Sequence, residues 1–140
     1  MFENILLAYD GSDQAREAAN LAGNLARSQK FAPVLWIVTV VDRSPRELGE
    51  PYLSQYIEKR TSSGQSLVRD AVGLVGPGIE IHTEILFGSP AESILEVAET
   101  RDCDLIIMGT RGLSLLEGLL LGSQTQKVIN HANCPVLVVK

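Results

Sequence analysis

Short β-branched apolar runs alternate along this chain with longer segments of helical spacing. Ile5-Leu6-Leu7-Ala8-Tyr9 is continuously apolar, the pattern of a strand covered on both faces. Ser12 then has the chemistry of a helix N-cap, and Asp13 puts a carboxylate in the first turn, where the helix dipole favours it. Ala15, Ala18, Ala19, Ala22, Leu25 and Ala26 recur at three- and four-residue spacing. That stripe of small side chains lets a helix lie close on a sheet.

Val34 to Val41 reads as a second buried strand, and Asp42 to Pro51, with two prolines and a glycine, as a loop. A longer helical pattern runs from about Tyr52 to Leu74, with Leu53, Tyr56, Ile57, Leu67, Val68 and Ala71 in phase. Gly64 falls on the same stripe. A glycine there weakens a helix by ~1 kcal/mol relative to alanine. Either the helix tolerates that cost, or its backbone approaches the sheet closely; the spacing alone leaves both open.

Gly76-Pro77-Gly78 predicts a turn. From Ile79 to Leu86 the chain alternates, Ile79, Ile81, Thr83 and Ile85 against Glu80, His82, Glu84 and Leu86, which predicts a half-exposed strand at a sheet edge. Ser89-Pro90-Ala91-Glu92 combines an N-cap serine, proline at the first helical position and a capping-box glutamate. The helix it opens turns Ala91, Ile94, Leu95 and Ala98 inward. Leu105 to Met108 predicts a fourth strand, Ser123 to Ala132 a fourth helix, and Val136 to Val139 a fifth strand. This β-α-β-α-β-α-β-α-β order, without repeat or linker, predicts one doubly wound α/β domain over residues 1–140. Its sheet is parallel, with helices on both faces.

Composition narrows the functions open to such a domain. Of 140 residues, 45% are hydrophobic and 21% charged, enough to bury roughly two-thirds of the unfolded surface in a core. Twelve Lys and Arg against seventeen Asp and Glu give a net charge of −5. That is the wrong sign for displacing counterions from nucleic acid, and the few aromatics offer no stacking platform. Met1-Phe2-Glu3-Asn4 lacks a basic stretch, and Val34 to Val41 is less than half of the ~20 residues of a membrane helix. Two cysteines, Cys103 and Cys134, are too few for a secreted disulfide framework. The expectation is a cytoplasmic protein with neither nucleic acid nor membrane as partner.

In an open parallel sheet, ligands bind beyond the carboxyl ends of the strands, where the strand order reverses. Two strand ends here carry chemistry. The first closes in Tyr9-Asp10-Gly11-Ser12, a carboxylate beside a helix N-terminus. The fourth closes in Met108-Gly109-Thr110-Arg111-Gly112 and leads through a leucine-rich segment to Gly122-Ser123-Gln124-Thr125. Glycines at 109, 112 and 122 permit positive φ and close approach, so that amides can converge on an anion at a helix N-terminus. The hydroxyls of Ser123 and Thr125 add donors. Taken singly, each glycine is explained by a turn or a cap.

The combined spacing, Gly109-x2-Gly112-x9-Gly122-Ser123, resembles the ATP-binding pattern of the universal stress protein family. Asp104 to Gly109, His131 to Val139, Tyr9-Asp10-Gly11-Ser12 and Gly88-Ser89-Pro90-Ala91 are similar to the family's text as well. The resemblance implies an adenine nucleotide alpha hydrolase-like fold with strand order 3-2-1-4-5. It implies ATP, or ADP or AMP, as ligand, with Mg²⁺ or Mn²⁺ bridging the phosphates. The implied nucleotide-binding positions are Ala8, Asp10, Val40, Met108, Gly109, Arg111, Gly112, Gly122, Ser123, Gln124 and Thr125. Among these Asp10 contacts the adenosine end and the backbone of Val40 the adenine edge. The resemblance further implies that Gly109 lies against the ribose, while Gly112, Gly122, Ser123 and Thr125 hold phosphates. A homodimer through Val136–Val139, an apolar edge guarded only by Lys140, follows both from the resemblance and from the exposed-edge argument.

The chain departs from the family's pattern in the glycine loop. Glu117 and Gly118 stand where many relatives are basic, and Arg111 is the only cation between Gly109 and Gly122. This predicts a weaker preference for triphosphate than in basic-loop relatives. No positioned base with a water-activating partner and no second cation are evident, so a nucleotide-dependent stress or signalling module is expected ahead of a slow ATPase or autophosphorylating enzyme. A scaffold without nucleotide is the third reading, opposed by the intact glycine motif. Leu113, Leu115, Leu116, Leu119, Leu120 and Leu121 are expected to fold back onto the domain and its neighbour. His82, His131 and the two cysteines are expected to be structural. There is no Gly-Lys-Ser/Thr, and Gly76-Pro77-Gly78 precedes a strand where a dinucleotide fingerprint would follow one.

Overall fold

The computed structural model describes residues 1–41, 48–110 and 122–140. Nine elements alternate along them: β1 (Asn4–Ala8), α1 (Asp13–Ser28), β2 (Val34–Val41), α2 (Tyr52–Val75), β3 (Glu80–Phe87), α3 (Pro90–Thr100), β4 (Leu105–Gly109), α4 (Ser123–His131) and β5 (Val136–Val139). The strands form one sheet in the order β3-β2-β1-β4-β5, and every pairing is parallel. The chain winds outward from β1 to β3 on one side and from β4 to β5 on the other, so the direction reverses between β1 and β4.

The continuous apolar run of β1 is explained by two cores. Ile5 and Leu7 point to one face, where Leu35, Ile37, Leu105 and Ile107 join the alanines of α1 and Ala71 and Val75 of α2. Leu6 and Ala8 point to the other, with Val38, Ile106, Met108, the inner side of α3 and Val128 of α4. The alternation of Cβ directions along a strand thus supplies both layers from one segment. Helix α1 sits close because its face is small: a Cβ on Gly23 would lie 2.2 Å from the carbonyl oxygen of Val75 in α2. Gly64 settles on the close-approach reading, since a Cβ there would lie 2.8 Å from Cγ2 of Ile85 on β3.

Both sheet edges fall where the hydrophobic pattern puts them. β3 begins at Glu80, one residue later than its alternation suggests, and its outer positions are open to solvent. β5 is the opposite edge, with Leu137 partly exposed. The turn glycines Gly76 and Gly78 take φ of 85° and 86°. Ser12 caps α1 as expected, accepting the Ala15 amide hydrogen at 3.2 Å. The capping box of α3 does not form. Ser89 holds the N-cap position, but its side chain makes no capping bond, and the Ala91 amide donates instead to Oε1 of Gln124 on α4, at 3.0 Å. Among the described residues, no helix is long and apolar enough to cross a membrane.

Candidate functional site

A cleft open to solvent lies over the carboxyl ends of β1, β2 and β4, at the reversal of strand order where ligands of such sheets bind. Its floor and walls are Ala8, Tyr9 and Asp10 after β1, Ala15 of α1, Val38 and Val40 of β2, Met108 and Gly109 of β4, Pro90 and Ile94 of α3, and Gln124 and Thr125 of α4. Seven of the positions singled out in the sequence are therefore brought together: Ala8, Asp10, Val40, Met108, Gly109, Gln124 and Thr125. Gly122 and Ser123 stand at the head of α4 beside Gln124 without lining the cleft. Arg111, Gly112 and the leucines from 113 to 121 lie outside the described residues.

Local sequence explains how each wall is held. Asp10 Oδ1 accepts the Ser12 amide hydrogen at 2.9 Å, so the carboxylate is turned into the entrance of α1. Gly11 makes that turn with φ of 81°, and a Cβ there would meet Leu67 at 2.7 Å. The buried Thr39 hydroxyl donates to the Tyr9 carbonyl at 3.0 Å, joining β2 to the end of β1.

Three expectations for the glycine motif are corrected. Gly109 is not among the described glycines with positive φ, and Gly122 has φ of −57°, so neither uses left-handed freedom. Gly109 is required for packing: a Cβ would lie 2.8 Å from the Ala15 nitrogen and 2.8 Å from Gln14 carbon atoms. Thr125 is fully buried, and its hydroxyl donates to the Gly109 carbonyl at 3.3 Å, which spends it on fixing α4 to β4. What α4 offers an anion is its backbone. Gly122 supplies no side-chain cap, so the first-turn amides, unpaired within the helix, head it with the positive end of its dipole.

One polar cluster beside the cleft had no signal in the sequence. The Tyr9 phenol donates to Oδ2 of Asp70 on α2, and Arg16 of α1 donates to the same oxygen at 2.6 Å. Burial, and then the Asp70 carboxylate, push the Tyr9 hydroxyl up to about 12. The Tyr9 hydrogen bond holds the Asp70 carboxyl below its usual range, with Arg16 adding to it. The cluster joins residues 61 positions apart, beyond the reach of any local pattern.

At the amino end of the sheet, Cys103 and Cys134 line a second cavity, open to solvent, with His131 and Asn133. Both thiols are free, and burial above all pushes Cys103 up to about 12. His82 stacks on Trp36 at 4.6 Å and pairs with Glu80 at 2.8 Å, while Arg101 lies 4.7 Å from the centre of the same indole ring. Among the described residues no three His, Cys, Asp or Glu side chains are grouped to hold a metal ion.

Fold and cleft together define a doubly wound α/β protein with an open cleft at its topological switch. The chain belongs to the universal stress protein family, whose pattern matches residues 1–140. It is 43% identical to a universal stress protein of Thermus aquaticus over 140 residues, the whole of both chains. The universal stress protein UspA from Lactobacillus plantarum has the same fold, with a TM-score of 0.83 at 29% identity, over 99% of this chain and 97% of that one. A universal stress protein solved in complex with cAMP aligns with a TM-score of 0.71 at 24% identity, over 99% of this chain and 97% of that one; at that identity the likeness concerns the fold.

Proposed function

We propose that this chain is a binding module for adenine nucleotides, ATP in the first place, working in the cytoplasm as a nucleotide-dependent stress or signalling protein. The observation that carries the reading is the cleft itself: apolar walls from Val38, Val40, Ile94 and Met108, with Asp10 and the first turn of α4, whose N-cap is Gly122, also lining it. A flat, apolar purine suits such walls. The Asp10 carboxylate accepts hydrogen bonds from sugar hydroxyls, and the first-turn amides of α4 donate to phosphate. Gly122, Ser123, Arg111 and Gly112 belong to the phosphate end of this reading, as the family spacing implies. The cAMP that the related protein holds is an adenine nucleotide of the same class.

A divalent cation, Mg²⁺ or Mn²⁺, would be held by the phosphates and by water. Its contribution would be to neutralise phosphate charge. A homodimer through β5 covers the open edge at Val136–Val139. Calorimetric titration with ATP, ADP, AMP and GTP tests the reading. One adenine nucleotide per chain is expected, with GTP weaker and less than a hundredfold preference for ATP over AMP without metal. No binding of any adenine nucleotide overturns it. Light scattering is expected to give twice the 15.2 kDa chain mass, and a monomer at micromolar concentration removes the dimer.

A further inference from the structure

Gln124 occupies the first turn of α4, and its side chain does for α3 what Ser89 does not. Oε1 accepts the Ala91 amide hydrogen at 3.0 Å across 33 positions of sequence. An N–H can face only the oxygen of a carboxamide, so this bond assigns the group: oxygen on α3, amino group elsewhere. The amino group carries two donors, and among the described residues no acceptor takes either of them. No buried side-chain nitrogen or oxygen among the described residues lacks a partner, so this amino group is reached by solvent. Gln124 also lines the cleft, on the turn of α4 whose backbone amides favour an anion.

We propose that Gln124 determines specificity in the cleft. Its Nε2 donates to a phosphoryl oxygen of the bound nucleotide while Oε1 stays on Ala91. The nucleotide thereby grips the joint between the heads of α3 and α4. This inference rests on the nucleotide reading above and adds to it a neutral side-chain donor, in a chain whose glycine loop has a single cation. A neutral donor recognises phosphate by hydrogen bonding without requiring a full triphosphate charge, in keeping with a modest preference for ATP.

The test is Gln124→Glu, which keeps an acceptor for Ala91 and replaces the donor by an anionic oxygen. The thermal midpoint is expected to stay where it is. Affinity for ATP is expected to fall by about tenfold to a hundredfold, the size of a hydrogen bond to a charged group, while adenosine binds as before. A second variant, Gln124→Leu, removes cap and donor together and is expected to lower both the midpoint and ATP affinity. ATP binding by Gln124→Glu at wild-type affinity would overturn the inference, leaving Gln124 as a cap alone. An equal loss for ATP and adenosine would overturn it too, moving the contact to base or sugar. Wild-type protein that binds no nucleotide would fail the underlying reading instead.

Discussion

Gly109 and Ala15 face each other so closely that a Cβ on the glycine would lie 2.8 Å from the alanine's backbone nitrogen. The first glycine of the Gly109-x2-Gly112-x9-Gly122 spacing therefore has a structural reason to exist, independent of any ligand. Gly109→Ala must push the end of β4 away from the first turn of α1, and backbone yields poorly. It is expected to cost about 1–3 kcal/mol, as overpacking typically does, in urea unfolding of nucleotide-free protein. An unchanged midpoint would show that the contact has slack.

Two glycines within helices should answer alanine in opposite ways. Gly23 meets the Val75 carbonyl oxygen, whereas a Cβ on Gly73 finds nothing within 4 Å. Gly73→Ala is expected to stabilise by about 0.5–1 kcal/mol through helix propensity. Gly23→Ala is expected to destabilise despite the same propensity gain. Paired chemical denaturation curves check this, and movement of both midpoints in one direction would contradict it.

Tyr9 should titrate late. Its hydroxyl is pushed up to about 12, above the ordinary phenol value of about 10. The folded state thus favours the protonated phenol. That contribution is fully present below pH 10 and is lost as pH rises from about 10 towards 12. Asp70 runs the other way: its carboxyl is lowered by the Tyr9 bond, so its contribution is present above the ordinary carboxylate range and fades as pH falls through its folded value. Ultraviolet titration is expected to show one late phenolate, absent in Tyr9→Phe. A titration with no late phenolate that Tyr9→Phe removes would contradict the cluster.

What the sequence makes legible and what it hides divide by range. The two-sided burial of β1, the alanine face of α1, the edge character of β3 and the Ser12 cap are all written in neighbouring residues, and they reappear in the fold. The hydrogen bonds Tyr9–Asp70 and Gln124–Ala91 are not, because each joins side chains on different elements far apart in sequence. The capping box at Ser89 and Glu92 reads correctly as a helix start but wrongly as chemistry, since Gln124 reaches the Ala91 amide from another helix. The cleft is legible as a location because parallel topology alone dictates it. The roles of Gly109 and Thr125 within it are not, because sequence cannot tell a glycine needed by a ligand from one needed by a neighbouring helix.

The two thiols should differ in reactivity. Burial raises both, Cys103 to about 12, and Cys103 is the more buried. Thiolate is the reactive form, so at pH 8 a soluble alkylating agent is expected to modify Cys134 first and Cys103 only slowly. Mass spectrometry of timed samples reads the order, and equal rates would show that the amino-end cavity opens readily.

The proposed nucleotide site is tested most directly by two-dimensional amide NMR during titration with Mg-ATP. Binding in the cleft is expected to shift the amides of Asp10, Val40, Gly109 and Ser123 to Thr125 together, with those of Cys103 and Cys134 at the far end of the sheet unmoved. Shifts centred on the cysteine cavity, or none at saturating nucleotide, would contradict it.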